Sequence, residues 1–339
     1  MTMTERAALA RRFVQQAGWG DADCTFLAGD ASPRQYWRLS RAGETRVLMD
    51  APPEKGEDTR PFIAMADHLI GCGLSAPRIM ARDVAHGFLL LEDLGDDLLA
   101  RVVRREPERE ALLYTAAVET LVRLQDCPPP AGLPDHAPDF MANAAGLAFG
   151  WYARAVTGRP HDPVPLVHAM RRALDAHCNH APVLVLRDYH AENLLWLPDR
   201  EGLARVGLLD FQMGSMGQPE YDLVSLLDDA RRDVDPDLVP QLIRHFATLS
   251  GIDPDRCATA CAVLTAQRNL RILGGFTRLS LHFAKPGYVA LIPRVWTHLQ
   301  RALQHPALAE LRTICTALPE PDEAALQRIT ELCGTCPDP

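Results

Sequence analysis

The amino-acid sequence predicts an α+β fold, with a small β-rich N-terminal domain and a larger, mostly helical C-terminal domain. Short apolar runs separated by small-residue turns occupy the first 93 residues, and helical periodicity dominates from residue 96 onward. Three further apolar runs interrupt the helical region between residues 183 and 209. We therefore predict two domains, residues 1–93 and 96–339, joined at about residues 91–95.

The N-terminal domain is predicted to begin with a helix at residues 6–17 and to continue into a small sheet. The predicted strands are 24–27, 36–39, 45–50 and 88–91, and a second helix is predicted at 61–72. Residues 52–58 are rich in proline and charge, which predicts an exposed loop.

The C-terminal domain is predicted to be built from amphipathic helices around the three apolar runs. The predicted helices are 107–124, 138–156, 166–178, 239–249, 255–276, 287–303 and 323–332. The apolar runs at 183–186, 193–197 and 206–209 have the length of short buried strands.

The composition is that of an ordinary globular protein, with 47% hydrophobic and 23% charged residues in 339. The formal net charge of −9 argues against a general nucleic-acid binder, because phosphate backbones require a basic surface. Nine scattered cysteines indicate a reducing compartment. The chain shows neither a signal peptide nor an apolar run of membrane-spanning length, so we expect a cytoplasmic protein without membrane contact. The sequence gives no sign of an obligate protein partner.

The segment from Arg187 to Asn193 carries the most informative polar residues of the chain. Asp188 and Asn193 stand five residues apart, and Asp210 follows Asn193 by seventeen residues, directly after an apolar run. A carboxylate can accept a proton from a hydroxyl, and carboxylate and amide oxygens are the hard ligands that suit Mg²⁺. These groups predict phosphoryl transfer from a nucleotide to a hydroxyl. The alternative is a plain β-hairpin with polar residues at its tip.

In these and other segments the sequence resembles the aminoglycoside phosphotransferase family of small-molecule kinases. The similar segments are 28–32, 47–54, 60–62, 87–95, 187–193, 209–212 and 221–227, and the resemblance covers nearly the whole chain. Met-Asp-Ala-Pro-Pro-Glu at 49–54 and Asp-Phe-Gln at 210–212 are similar to kinases that phosphorylate the anomeric hydroxyl of N-acetylmuramate and N-acetylglucosamine in bacterial cell-wall recycling. The resemblance implies a two-lobed, protein-kinase-like fold, ATP and Mg²⁺ as cofactors, and a small-molecule sugar as the substrate.

The resemblance also implies roles for residues of the catalytic segment. Asp188 is the expected base for the sugar hydroxyl, and Asn193 and Asp210 are the expected magnesium ligands. Asp222, at the start of a helix, is expected to brace the catalytic loop by accepting hydrogen bonds from backbone N–H groups.

Nucleotide contacts are implied along the N-terminal domain. The turn at 29–32 is expected to cover the nucleotide phosphates, since small residues let backbone N–H groups approach oxygen anions. The hinge is expected to pair with adenine through its backbone. The residues implied to contact the nucleotide are Gly29, Asp30, Ala31, Ser32, Arg34, Met49, Glu92, Asp93 and Leu94.

Two positions depart from the family pattern. Leu186 stands where a histidine usually precedes the catalytic aspartate by two residues, and altered packing is expected there. Met49 ends the strand that usually carries a phosphate-binding lysine, so another cation must neutralise the phosphate charge. The candidates are Arg34, Arg38 and Arg46, and we favour Arg34 because it lies in the turn itself.

Two features bear on the acceptor. Only twelve residues lead from Asp210 to Asp222, too few for the activation segment of a protein kinase, and this favours a small-molecule acceptor. Residues 267–278 form a basic patch, which is either a solvated helix face or a site that reads the substrate. A bidentate arginine there would suit the lactyl carboxylate of N-acetylmuramate. The residues suggested for substrate contact are Gln212, Arg268 and Arg271.

Two other functions remain open from the sequence. The first is the same reaction on an aminoglycoside, an amino alcohol or a ketosamine, for which the aspartates between residues 228 and 235 could line a pocket. The second is an inactive nucleotide-binding pseudokinase or scaffold, suggested by Leu186 and Met49. Cys333 and Cys336 have zinc-ligand spacing without a second ligand pair, so no metal role is expected there.

Overall fold

The structure, a computed structural model, describes residues 3–29 and 33–336, and these residues form two compact units. Unit 1 contains the described residues up to 131 together with 191–214, and unit 2 contains 132–190 and 215–336. Residues 96–131 and 191–214 therefore pack with the N-terminal sheet. The two units do not coincide with the predicted domains 1–93 and 96–339, and the boundary at residues 91–95 stays a prediction.

Unit 1 is built around a five-stranded antiparallel sheet with the strand order β1-β2-β3-β5-β4. The strands are β1 (Asp23–Ala28), β2 (Gln35–Arg41), β3 (Glu44–Asp50), β4 (Ile79–Asp83) and β5 (Phe88–Glu92). The four strands predicted from the sequence are present. Strand β4 was not predicted, because this edge strand alternates half-buried and exposed residues and has no continuous apolar run.

Helix α1 (Met3–Gln16) covers one face of this sheet. Its Phe13 ring stacks on Phe88 of β5 with ring centroids 5.8 Å apart, and Leu39 and Leu48 belong to the same core cluster. Because strand side chains alternate between faces, Met49 lies on the opposite face from Leu48, and it is completely buried.

The rest of unit 1 consists of helices and one hairpin. The helices are α2 (Arg60–Gly71), α3 (Leu99–Arg105) and α4 (Glu110–Asp126), and the hairpin pairs β7 (Leu194–Trp196) with β8 (Val206–Leu208). The Leu208 N–H donates to the carbonyl of Ser75 at 2.7 Å, and Leu195 forms a β-bridge with Leu98. These bonds fix the hairpin to the body of unit 1.

Unit 2 is mostly helical. Its helices are α5 (Pro138–Ala145), α6 (Arg154–Thr157), α7 (Val164–His177), α8 (Glu220–Leu227), α9 (Val239–Ser250), α10 (Pro254–Leu281), α11 (Ile292–Leu303), α12 (Ala309–Cys315) and α13 (Glu323–Glu331). The 28-residue helix α10 packs against α5, α7, α8, α9 and α11 and forms the centre of the unit. A short antiparallel pair, β6 (Val183–Val185) with β9 (Ser215–Gly217), completes it.

The helix predicted at 138–156 is interrupted, and this corrects the sequence prediction. Residues 148–153 form a π-helical turn between α5 and α6. A Cβ atom at Gly274 of α10 would lie only 2.2 Å from the carbonyl carbon and oxygen of Leu147. The two backbones touch directly ahead of the π turn, a contact that no periodicity of apolar residues could reveal.

The described residues support the predicted α+β class, with the larger sheet in unit 1 and most of the helices in unit 2. None of the helices in 3–29 and 33–336 combines the length and the apolar character required to cross a bilayer.

Candidate active site

Asn193 and Asp210 lie at the same end of the β7–β8 hairpin in unit 1. Leu194 pairs with Leu208, and the Leu209 N–H donates to the Asn193 carbonyl at 3.0 Å, so the two polar residues follow directly from the strand register. Asp210 is exposed and has a φ of +55°, a left-handed conformation that aspartate adopts more readily than most residues. The hairpin therefore presents an amide and a carboxylate side by side at one end.

The residues after Asp210 hold its backbone and its carboxylate. Phe211 is completely buried and its ring lies 4.8 Å from that of Phe62 in α2. The side-chain amide of Gln212 donates to Asp210 Oδ1 at 2.7 Å. Gln212 thus orients the Asp210 carboxylate in this structure, and the substrate contact suggested for it stays a prediction.

In unit 2, strand β6 leads directly into the loop that carries Asp188. The backbone N–H groups of Leu186 and Arg187 both donate to the carboxylate of Asp222, the latter at 2.9 Å. Asp222 is completely buried in α8, and this burial raises the pKa of its carboxyl to about 7 although the two N–H groups lower it. The loop therefore rests on one buried carboxylate, as expected for a residue that braces it.

Two further features shape this loop. Arg187 has a φ of +73°, an uncommon conformation for a residue with a side chain, so the backbone turns sharply just before Asp188. Leu186 is 2% exposed, and the position that carries histidine in the family pattern is filled here by an apolar side chain in the core. Asp188 itself is half-buried.

Asp188 lines a cavity of about 580 Å³ that is formed entirely by residues of unit 2. The charged side chains of its wall are Asp188, Arg187, Arg231, Arg268, Arg271 and Arg278. Aromatic and aliphatic side chains complete the wall, with Phe140, Leu147, Phe276 and Phe283 among them. A cavity of this size, with an apolar lining and a few polar groups, is typical of a small-molecule site.

The basic patch at residues 267–278 is not a solvated helix face. Gln267 is completely buried and its amide donates to the Met141 carbonyl at 2.8 Å. Arg268 is 3% exposed, and its guanidinium donates to Ser225 Oγ at 2.8 Å and to the Asp228 carbonyl at 3.4 Å. Arg271 is half-buried at the cavity wall. The patch therefore packs into unit 2 and contributes to the cavity.

The residues expected to bind the nucleotide lie in unit 1, where the structure describes most of them. Asp30, Ala31 and Ser32 lie outside the described residues, whereas Gly29 approaches the Arg34 carbonyl so closely that a Cβ atom there would lie 3.0 Å from it. A side chain at position 29 would crowd this carbonyl, which favours glycine where the turn begins.

Met49 and the hinge residues are described completely. Met49 pairs with Tyr36 on β2 and with Leu89 on β5. The Glu92 carboxylate accepts a hydrogen bond from Arg200 at 2.7 Å, and Leu94 follows Asp93 in the segment that leaves the sheet.

The three arginines considered as substitutes for the lysine have different partners. Arg38 makes ion pairs with Asp93 at 2.6 Å and with Asp96 at 2.7 Å. Arg46 lies over the Trp19 ring at 5.1 Å. Both cations therefore already have partners within unit 1.

Arg34, the third candidate, forms an ion pair with Glu57. Its Nε lies 2.7 Å from the Glu57 carboxylate, and both side chains are 13% exposed. Burial raises the pKa of the nearby Tyr36 hydroxyl, the Arg34 guanidinium lowers it, and the negative charge of Asp210 raises it further. Tyr36 therefore lies within electrostatic reach of both Arg34 and Asp210.

Sequence reasoning missed Glu57 and the contribution of Arg187 to the cavity. Glu57 lies in the loop predicted to be exposed, and its side chain is instead largely buried against Arg34. The missing lysine was the available signal, because a substitute cation needs a carboxylate to hold it in place. Arg187 precedes Asp188 directly in the chain, and its side chain lines the cavity.

Comparison with known proteins identifies the family of this chain. Residues 23–258 match the phosphotransferase enzyme family. A protein named N-acetylmuramate/N-acetylglucosamine kinase from Caulobacter vibrioides is 36% identical, over 92% of this chain and 96% of that protein. A protein of the same name from Pseudomonas aeruginosa is 32% identical, over 94% of this chain and 96% of that protein.

Solved structures share the fold at low sequence identity. A choline/ethanolamine kinase family protein from Mesorhizobium loti is similar with a TM-score of 0.61 and 15% identity, over 96% of this chain and 99% of that chain. ADP-bound aminoglycoside phosphotransferase APH(2'')-Ib has a TM-score of 0.59 and 15% identity, over 88% and 98% of the two chains. The predicted protein-kinase-like fold is confirmed. This chain therefore belongs to the phosphotransferase enzyme family and is an enzyme that transfers a phosphoryl group to a hydroxyl.

Proposed function

We propose that this enzyme transfers the γ-phosphoryl group of ATP to the anomeric hydroxyl of N-acetylmuramate and N-acetylglucosamine. The names of the two relatives support this choice of acceptor, since their similarity extends over more than nine-tenths of this chain. The observation that carries the proposal is the position of Asp188 on the wall of a cavity large enough for a monosaccharide. Such an activity fits the reuse of cell-wall sugars in the cytoplasm.

Asp188 is the base in this proposal. As the anomeric oxygen forms its bond to the γ-phosphorus, its proton passes to the Asp188 carboxylate, and the bond from phosphorus to the bridging oxygen breaks to release ADP. The two N–H bonds to Asp222 keep the loop in one conformation, so Asp188 needs little reorganisation to reach the hydroxyl. Positioning and electrostatic stabilisation are the main contributions that a protein can make to phosphoryl transfer.

Asn193 and Asp210 are proposed to hold Mg²⁺. Magnesium is commonly bound through one or two protein oxygen ligands together with substrate phosphates and water, and the hairpin end offers an amide and an exposed carboxylate. Among residues 3–29 and 33–336, no three histidines, cysteines or acids are grouped for a metal, which fits a site completed by the nucleotide. Bound there, Mg²⁺ would neutralise part of the negative charge of the phosphates.

Arg34 is proposed to take the place of the missing lysine. Met49 is apolar and buried, so it cannot neutralise a phosphate. The Glu57 carboxylate lies 2.7 Å from Arg34 Nε and holds the guanidinium in place. A glutamate can hold a lysine in the same way. The backbone of residues 29–32 would then approach the phosphates, and Glu92, Asp93 and Leu94 would provide the adenine contacts.

Cationic acceptors are disfavoured by the charge of the cavity. A polycationic aminoglycoside or an amino alcohol requires carboxylates in the pocket, and five arginines accompany Asp188 there. Three of the aspartates between residues 228 and 235 pair with basic residues. Asp228 contacts Arg301, Asp229 contacts Arg231 at 3.3 Å, and Asp233 contacts Arg294 at 3.0 Å.

A substrate panel with phosphorus NMR of the product tests the proposal. The purified enzyme is incubated with ATP, Mg²⁺ and N-acetylmuramate, N-acetylglucosamine, a ketosamine, choline or an aminoglycoside. We expect an acid-labile anomeric phosphate from the two amino sugars. An acid-stable phosphate ester would identify another hydroxyl, and a lack of ADP release with every acceptor would favour the pseudokinase alternative.

A further inference from the structure

The cavity in unit 2 has an excess of positive charge that the transfer reaction does not explain. Five arginines and one aspartate line it, although the whole chain carries a formal net charge of −9. Like charges gathered in a partly buried space repel each other more strongly than in water, because the local dielectric constant is lower. Such an arrangement is stable when protein carboxylates or an anionic ligand balance it.

Three of the five arginines have partners within unit 2. Arg231 lies 3.3 Å from the Asp229 carboxylate. Arg268 donates to Ser225 and to the Asp228 carbonyl. Arg278 lies over the rings of Trp151 and Phe283 at 5.7 and 5.5 Å. Their side chains are therefore held by the protein itself.

Arg187 and Arg271 differ from these three because their guanidinium groups make no hydrogen bond, ion pair or ring contact among the described residues. Their buried Nε atoms have no hydrogen-bond partner there, which is also true of the Nε atoms of Arg268 and Arg278. Both guanidinium groups lie close enough to His136 to help lower the pKa of its imidazole to about 4, after the larger effect of burial, so they charge the same side of the unit. At neutral pH His136 is uncharged and adds nothing to this positive field. Arg187 also precedes Asp188 directly in the chain.

We infer that Arg187 and Arg271 bind a carboxylate of the acceptor sugar and make the enzyme selective for an acidic sugar over its neutral analogue. The inference rests on the proposed function, since it concerns the acceptor in that same cavity. A guanidinium can hold a carboxylate through two parallel N–H bonds, and buried donors without partners gain most from such a ligand. N-acetylmuramate carries this carboxylate on its lactyl ether, and N-acetylglucosamine has a plain hydroxyl there.

The apolar part of the cavity fits the same ligand. Phe140, Phe276 and Phe283 supply surfaces against which a sugar ring and an acetamido methyl group can pack. The cavity can therefore contact two kinds of ligand group. The arginines can bind an anionic group, and the aromatic rings can pack against apolar groups. A nucleotide phosphate offers the same anionic chemistry, so the experiment must separate the two sources.

The test compares kcat/KM for N-acetylmuramate, its methyl ester and N-acetylglucosamine in the wild-type enzyme and in Arg271→Ala. Loss of one charge-assisted pair should lower kcat/KM for N-acetylmuramate about 10- to 100-fold. N-acetylglucosamine and the ester should change less than about twofold, because neither presents a carboxylate to the missing group. Arg187→Gln should give the same selective loss.

Arg312→Ala is the matched control, because Arg312 is an exposed arginine of α12 that does not line the cavity. A thermal unfolding curve of each variant, recorded by circular dichroism, shows whether the protein is folded. Equal losses on all three sugars together with a raised KM for ATP would identify the bound anion as the nucleotide phosphate and overturn the inference. Unchanged selectivity in both arginine variants would overturn it as well.

Calorimetry separates this inference from the proposed function. If the wild-type enzyme phosphorylates neither sugar, the proposed function fails. Binding of N-acetylmuramate without nucleotide then still decides the inference. Tighter binding of the free acid than of its methyl ester, lost in Arg271→Ala, supports it, and equal binding of acid and ester contradicts it.

Discussion

The end of the β7–β8 hairpin in unit 1 and the cavity in unit 2 differ in the sign of the charge they present. At the hairpin end, Asn193 and the exposed Asp210 offer oxygen atoms, and Gln212 holds the Asp210 carboxylate at 2.7 Å. In the cavity, arginines outnumber the single Asp188 by five to one. The difference indicates a division of labour, in which the hairpin suits a hard cation and the cavity suits an acceptor with negative charge.

The largest effect should come from the one acid in the cationic cavity. Asp188→Asn removes the proton acceptor, so kcat should fall about 10³-fold or more while the KM for ATP stays nearly constant. The measurement is steady-state ADP release with N-acetylglucosamine as the acceptor. Asp199→Asn, at an exposed position in the β7–β8 hairpin loop, should retain wild-type kcat. A fully active Asp188→Asn enzyme would falsify the role of this residue.

A smaller effect should follow from removing the cation of unit 1. Arg34→Ala should raise the KM for ATP about 10- to 100-fold, because one charge-assisted contact to phosphate is lost. Glu57→Gln should shift it in the same direction by less, since the guanidinium keeps its charge but loses its anchor. Arg41→Ala, at the last residue of β2, serves as the control. An unchanged KM in Arg34→Ala would show that a different cation replaces the lysine.

The wall of the cavity can be tested through stability. Gly274→Ala places a Cβ atom 2.2 Å from the Leu147 backbone, so the free energy of unfolding should fall by about 1–3 kcal/mol. At the adjacent Gly275, a Cβ atom would meet nothing within 4 Å. Gly275→Ala should therefore leave stability unchanged or raise it by up to about 1 kcal/mol. Urea unfolding measures both, and equal stabilities would refute the close contact.

The smallest effect concerns pH. The folded-state pKa of His136 is lowered to about 4 from 6.5, so the unfolded chain binds its proton more tightly and the stability from this residue is lost as pH falls from about 6.5 to about 4. When the pH is lowered from 7 to 5, protonation of this residue should reduce the free energy of unfolding by about 1–2 kcal/mol. His136→Phe should lose correspondingly less stability than wild type over that interval. The measurement is urea unfolding of both proteins at the two pH values. Equal losses of stability in wild type and His136→Phe would contradict the lowered pKa of His136.

The parts of the fold that depend on local pattern could be predicted from the sequence. Continuous apolar runs indicated β5, β6 and β8, and an apolar run ending at Asp210 placed this residue at a strand end. The resemblance to the family, and not a local pattern, implied that Asp222 braces the loop, and this role stays a prediction. In the structure the Asp222 carboxylate accepts hydrogen bonds from the N–H groups of Leu186 and Arg187.

The parts that depend on contacts between distant residues could not be predicted. The pairing of Arg34 with Glu57 joins a turn to a loop, and neither segment carries a periodic signal for the other. Gly274 against Leu147 is a backbone contact between residues 127 positions apart in sequence. The burial of Arg268 likewise depends on Ser225 of α8, so a basic stretch that reads as a solvated face becomes part of a cavity wall.

The central claim is that the hairpin end binds the metal and the cavity does not. Electron paramagnetic resonance of Mn²⁺ titrated into the enzyme with ADP tests it directly, because bound and free Mn²⁺ give different signals. We predict one bound ion in wild type, strongly weakened binding in Asn193→Ala and in Asp210→Ala, and wild-type binding in Asp188→Asn. Retained Mn²⁺ in both hairpin variants, or its loss in Asp188→Asn, would contradict the account.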